Sequence, residues 1–210
     1  MKNAWMPYCI PFGLFCIITY AGPLFAISPG ILYPVKTVIT AGALLAFRKA
    51  YSGEIRVCMD LPAVVAGIMV FWLWIYLDPF YPKTTPEGFN PFEVSSGAAA
   101  YGLIGFRLAG AVLVVPVMEE LFWRSFAMRF LMGTRFKEIP LGGFTWFSFS
   151  VVAVAFGLEH HHWLPGIAAG LLYGLVLVRS KNLFSPILAH GTTNLILGIH
   201  VLLTHTWVFW

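Results

Sequence analysis

Long apolar runs separated by short polar punctuation set the plan of this chain. They fall near residues 8–26, 32–47 and 61–77, then in an unusually long stretch from about 97, and again near 144–160, 165–178 and 184–203. Most approach the length of about 20 residues that a helix needs to cross a hydrocarbon core about 30 Å thick. The pattern predicts an all-α, polytopic transmembrane bundle of about seven helices, a single integral membrane domain over residues 1–210. Ser95-Ser96-Gly97 is a candidate cap for the long fourth helix. Pro140 and Gly142-Gly143 mark the loop that follows it.

The polar punctuation is asymmetric. Arg48, Lys49 and Arg56 lie after segment two, Arg129, Arg135 and Lys137 after segment four, and Arg179 and Lys181 after segment six. The loop after segment three is acidic, with Asp78, Glu87 and Glu93. Basic loops belong on the cytoplasmic side. Seven alternating crossings put every basic cluster, and the N-terminus with Lys2, on that side. The acidic loop and Trp207-Val208-Phe209-Trp210 fall on the other, with Trp5, Trp207 and Trp210 in interfacial belts. The N-terminal run reads as the first span, since Pro11 and Pro23 interrupt it and no small-x-small cleavage site is evident.

Composition agrees. Of 210 residues, 59% are hydrophobic and 10% charged, against about 25% charged in soluble domains. A net charge of +4 without a basic, aromatic-interleaved stripe excludes nucleic acid as partner and leaves the lipid bilayer. Cys9, Cys16 and Cys58 have no metal or redox spacing and read as small apolar fillers, which argues against thiol catalysis. No inverted repeat of the transporter kind and no low-complexity tract is evident.

Against this background a few polar residues stand out. Glu119, Glu120 and Arg124 lie inside the long fourth segment. Glu120 and Arg124, four apart, share a helix face and read as an ion pair. Glu119 is turned about 100° away and remains a free carboxylate. Segment five ends Phe156-Gly157-Leu158-Glu159-His160-His161-His162, and segment seven carries His190 and Asn194 on one face. Intramembrane ionisable groups mark functional sites by default, so three helices contributing such groups predict one shared polar site inside the membrane. A carboxylate and a neutral imidazole can take a proton from water. A second histidine and an asparagine can donate to a developing oxyanion. No serine, cysteine or threonine occupies an evident nucleophile position, which leaves water.

These motifs, Glu119-Glu120-x-x-x-Arg124, Phe156-x-x-x-His160 and His190-x-x-x-Asn194 in that order, resemble the signature of the CAAX prenyl protease and bacteriocin-processing (Abi) family over roughly residues 100–200. The sequence around them is also similar to a bacterial subgroup associated with exosortase and PEP-CTERM sorting. The resemblance implies an all-helical intramembrane endopeptidase in a bacterial inner membrane, with a catalytic core at about 100–203. Its substrate would be a membrane-associated or lipid-modified protein, and no cofactor would be required. It implies that Glu119 and His160 activate water, that His190 and Asn194 form the oxyanion site, and that Glu120 and Arg124 support them. Only the four-residue step from Phe156 selects His160 among three neighbouring histidines.

Rival readings remain at this level. Glu119, His160 and His190 would make a two-His, one-carboxylate zinc set, although no H-E-x-x-H helix is present. A catalytically idle partner-binding or immunity protein, or a transporter, are further alternatives. Helical rise also sets a puzzle. Counted from the inner ends of their segments, His190 lies shallow, Glu119 intermediate and His160 deep. Helix tilt, a late start to segment five or a re-entrant turn at 161–165 would reconcile them.

Overall fold

The computed structural model describes residues 3–82 and 88–210, so Lys2 and Glu87, two of the charges used to set topology, lie outside the described residues. Seven helices of thirteen residues or more occur among the described residues. They are α1 (Met6–Leu24), α2 (Pro29–Phe47), α3 (Leu61–Leu77), α4 (Gly97–Phe130), α5 (Trp146–Leu158), α6 (Trp163–Ser180) and α7 (Phe184–Thr204). Six of them are long and apolar enough to cross a membrane, and α5 is the exception. The protein is an integral membrane protein built as a polytopic helical bundle.

The departures from the expected segments have local causes. Thr145 and Ser148 form a reciprocal capping box that delays the start of α5 to Trp146. The polar turn at Glu159–His162 then ends it after thirteen residues, about 20 Å at 1.5 Å per residue. The long α4, with 34 residues, would rise about 51 Å, well beyond the hydrocarbon thickness of about 30 Å. It therefore tilts or projects, and the late, short α5 meets it at a different offset. The late start of α5 is one of the features expected to reconcile the depths. Ser96 occupies the N-cap of α4, but its side chain makes no capping hydrogen bond. The chain instead enters α4 through Gly97 at φ 56°, a left-handed conformation natural to glycine.

Within α4 the hydrogen-bond ladder is twice π-helical, at Gly110–Val114 and Leu121–Ala127. Pro116 lies just after the first of these and supplies no N–H. The short α-helical piece between the two π turns carries Glu119 and Glu120.

Small residues let the helices approach closely, as expected where lipid rather than water surrounds the bundle. A Cβ at Gly170 of α6 would sit 2.7 Å from the Ala153 carbonyl oxygen of α5. One at Gly67 of α3 would collide with the backbone of Ala189 in α7.

The two ends of the bundle differ in charge. At one end Tyr8 Oη donates to Glu54 Oε1 (2.9 Å), Arg129 Nη2 pairs with the same oxygen (3.0 Å), and Lys137 Nζ donates to the Ala50 carbonyl (3.1 Å). Arg179 grips both oxygens of Asp60 at this end. At the other end Trp163 Nε1 donates to the Pro82 carbonyl (2.9 Å), and Phe89 N–H donates to the Trp210 carbonyl (3.3 Å). The start of α1 and all three basic loops thus share one end. Residues 78–82 and 88–90, the histidine turn and the C-terminal segment share the opposite one.

Candidate active site

The centre of the site is the short α-helical piece of α4. Glu120 and Arg124 are both fully buried, with Oε2 and Nε 3.1 Å apart. The guanidinium also lies 4.1 Å from the centroid of Phe156 and points Nη2 at the Gly170 carbonyl (3.5 Å), so α4 is clasped to both α5 and α6. The other oxygen of Glu120 accepts from His190 Nδ1 at 3.1 Å, which ties in α7. Glu120 therefore serves two partners, and the expected Glu120–Arg124 pair is present.

Glu119 faces elsewhere. Its Oε2 is buried with no hydrogen-bond partner among the described residues, and the nearest histidine nitrogen, His190 Nε2, is 4.0 Å away. That separation exceeds hydrogen-bond range, so the two groups face each other without bonding. The ring of His190 stacks on Tyr173 of α6, with centroids 5.0 Å apart at 20°, and the Tyr173 hydroxyl donates to Thr193 (2.7 Å). Because Nδ1 gives its proton to a carboxylate, Nε2 of a neutral His190 is an acceptor. It donates only as the imidazolium.

His160 lies two residues beyond the end of α5. Its Nδ1 is 2.8 Å from the Phe156 carbonyl oxygen. A carbonyl can only accept, so Nδ1 carries the proton and the lone pair of Nε2 is free. His161 is exposed, whereas His162 bonds to Tyr81 and Asp78 and packs on Phe209. Of the three, the half-buried His160 is the one packed on both Trp74 and Phe156.

Asn194 has an unexpected partner. Its Nδ2 donates to the Ala111 carbonyl oxygen at 2.7 Å. In an α-helix that oxygen would accept from Val115, but the Val115 N–H goes to Gly110 instead. The residue next in line is Pro116, which has no N–H. Asn194 thus satisfies a carbonyl that the π turn leaves open, and one amide hydrogen remains available.

Two cavities that share part of their walls form the two lobes of this site. One lobe, of about 350 Å³, is lined by Glu119, Glu159, His160 and Cys16. The other, of about 180 Å³, is lined by His160, His190, Asn194 and Tyr173. His160 and Arg107 border both lobes. All six residues singled out from the sequence therefore meet at one place, four of them on the cavity wall and Glu120 and Arg124 behind it.

Several residues there had drawn no functional reading. Glu159 accepts from Trp123 Nε1 (2.9 Å) and lies 3.9 Å from Cys16 Sγ, so Cys16 faces the cavity rather than serving as apolar filler. Trp210, expected in an interfacial belt, instead covers Arg107 and lines both lobes. Contacts such as Cys16–Glu159 join positions 143 residues apart and leave no local signal in the chain. The charges of Lys36 and Arg107 within apolar runs were the visible hints.

A zinc set does not fit this arrangement. No group of three His, Cys, Asp or Glu side chains among the described residues is placed to hold a metal ion.

Residues 102–196 match the family described as type II CAAX prenyl endopeptidase Rce1-like. No curated protein and no solved structure matches the chain. The matched segment contains all three motifs and bears out the family resemblance. It does not single out the exosortase-associated subgroup.

Proposed function

From the premise that residues 102–196 belong to the Rce1-like family of type II CAAX prenyl endopeptidases, we propose that the protein is an intramembrane endopeptidase. It hydrolyses a peptide bond near the C-terminus, or in the membrane segment, of a membrane-associated or lipid-modified protein. The observation that carries this is a buried carboxylate, Glu119, whose Oε2 has no hydrogen-bond partner among the described residues and which shares one cavity lobe with His160, whose Nε2 lone pair is free.

In this mechanism Glu119 and His160 hold a water molecule and take its proton as the oxygen attacks the peptide carbonyl carbon. The carbonyl oxygen becomes an oxyanion in the second lobe. There the spare amide N–H of Asn194 and Nε2–H of a protonated His190 donate to it. Collapse of the tetrahedral intermediate breaks the C–N bond, and the proton taken from water passes to the leaving amine. Glu120 holds His190 and Arg124 in place without touching the reacting atoms. The segregation of basic loops to one end supports a cytoplasmic N-terminus in a bacterial inner membrane.

The test compares cells making the wild type with cells making Glu119→Gln, using mass spectrometry of membrane-protein C-termini. New termini should appear only with the wild type, while the variant accumulates and melts like the parent. Identical termini in both would favour an idle partner-binding protein.

A further inference from the structure

The larger lobe contains two cations that the proposed chemistry does not use. Arg107 of α4 and Lys36 of α2 both line it, together with Glu119 and Glu159. Neither makes an ion pair with a carboxylate among the described residues. Lys36 Nζ is held by the Thr19 hydroxyl (3.2 Å) and by the faces of Phe15 and Tyr33, at 4.4 and 4.8 Å. The guanidinium of Arg107 lies over the rings of Tyr33, Trp210 and Phe89, at 4.7, 5.3 and 5.6 Å. Its Nε is buried with no hydrogen-bond partner among the described residues. Aromatic rings occupy the faces of a guanidinium and leave its edge donors for a planar acceptor. An intramembrane cation without a counter-ion marks a pathway or ligand site by default.

We propose that Arg107 and Lys36 form a subsite for the terminal α-carboxylate of the substrate chain. The proposal rests on the peptidase reading above and narrows it to substrates whose free C-terminus enters the cavity. A carboxylate offers two oxygens in one plane, which suits the in-plane donors of Arg107, and Lys36 adds a second positive charge. The facing carboxylates, Glu119 and Glu159, oppose an anion placed beside them, so the terminal group belongs at the Arg107 end of the lobe. Twelve residues of α4 separate Arg107 from Glu119, at most about 18 Å of rise. An extended peptide covers about 3.3–3.6 Å per residue. A peptide lying extended over that distance would place the bond attacked about five residues from the terminal carboxylate.

Binding can be read without turnover in the full-length Glu119→Gln protein, by quenching of tryptophan fluorescence, since Trp74 and Trp210 line the cavity. The probes are N-acetyl-Val-Ile-Leu as the free acid, the same peptide as its C-terminal amide, and dihexanoylphosphatidic acid as a lipid phosphate. The acid should bind at least tenfold more tightly than the amide. Arg107→Gln and Lys36→Met, each added separately, should remove most of that preference, and Arg107→Lys should retain part of it. Equal binding of acid and amide overturns the proposal, as does absence of saturable binding by either. Survival of the preference in folded Arg107→Gln/Lys36→Met protein overturns it too. Tighter binding of the phosphatidic acid would make the subsite a lipid-phosphate site instead. Should Arg107→Gln fail to fold, Lys36→Met and Arg107→Lys still decide the matter. Acid-selective binding combined with no cleavage by the wild type would leave the subsite standing and sink the peptidase reading.

Discussion

Replacing Glu120 by alanine removes the carboxylate that neutralises Arg124, whose side chain is fully buried. What would remain around the guanidinium is a 3.5 Å approach to the Gly170 carbonyl and the face of Phe156. Breaking a buried pair by deleting one partner costs about 3–5 kcal/mol, because the survivor is left charged and uncompensated. The His190 Nδ1 proton also loses its acceptor, which adds about 1–3 kcal/mol if nothing replaces it. The two penalties share Glu120 and do not simply add, so about 3–5 kcal/mol is the safer expectation. For a chain of this size 1 kcal/mol moves the melting temperature by about 2–4 °C. Glu120→Ala should therefore melt roughly 6–20 °C below the parent in detergent, followed by intrinsic tryptophan fluorescence. Glu120→Ala/Arg124→Met should recover much of that loss, since the stranded charge is gone. Glu119→Ala, which removes an oxygen with no hydrogen-bond partner among the described residues, should melt close to the parent. If Glu120→Ala melts within 2 °C of the wild type while Glu119→Ala falls sharply, the division of labour between the two glutamates is reversed.

Gly170→Ala forces a methyl group to within 2.7 Å of the Ala153 carbonyl oxygen and should destabilise by about 1–3 kcal/mol through parting α5 from α6, seen as a lower melting temperature. Asp60 caps α3 through Ala63 N–H and is held by Arg179; burial alone would raise its carboxyl pKa, but the Ser185 hydroxyl, the Ala63 N–H and the Arg179 charge together outweigh it and leave the group below its ordinary value. A carboxylate depressed in the folded state stabilises above its unfolded pKa of about 3.9, and that contribution is lost as the pH falls through the lower folded value. Asp60→Asn should therefore melt below the wild type at pH 7, by less than about 1 kcal/mol because Arg179 is half exposed, and the two curves should converge below about pH 4. Curves that stay parallel down to pH 3 would show that the carboxylate charge contributes nothing.

What the chain discloses about itself depends on how local the cause is. The span Leu61–Leu77 is marked by a capping aspartate and an uninterrupted apolar run, and the structure reproduces it to the residue. The Glu120–Arg124 pair follows from a four-residue step on one helix. The ends of α5 were harder to place because Phe144 and Leu158 are as apolar as the residues between them. Only the hydroxyls of Thr145 and Ser148 mark where it starts. The cavity wall is least legible, since Lys36, Arg107 and Glu159 come from three distant helices or turns. Each of them in isolation reads as a misplaced charge. Asn194 is instructive in another way. Its place in a motif was evident, but its bond to Ala111 depends on a proline five residues further along a different helix.

That bond gives Asn194 a structural duty that competes with the proposed catalytic one, and the two can be separated. Asn194→Ala removes the donor to the Ala111 carbonyl at a cost of about 1 kcal/mol. It also removes the spare N–H assigned to the oxyanion, for which a loss of about 10²–10³ in kcat is expected. On its own this variant does not say which loss slows the enzyme, because a shifted π turn could displace Glu119, only eight residues on. Pro116→Ala supplies the missing backbone N–H, which can satisfy the Ala111 carbonyl in the π-helical pattern. In the Asn194→Ala background it should restore the melting temperature. If Asn194 donates to the oxyanion, the double variant regains stability yet stays slow, with the defect in kcat rather than KM. If activity returns together with stability, Asn194 is only the partner of a carbonyl that proline left open, and the oxyanion must be held by His190 without it.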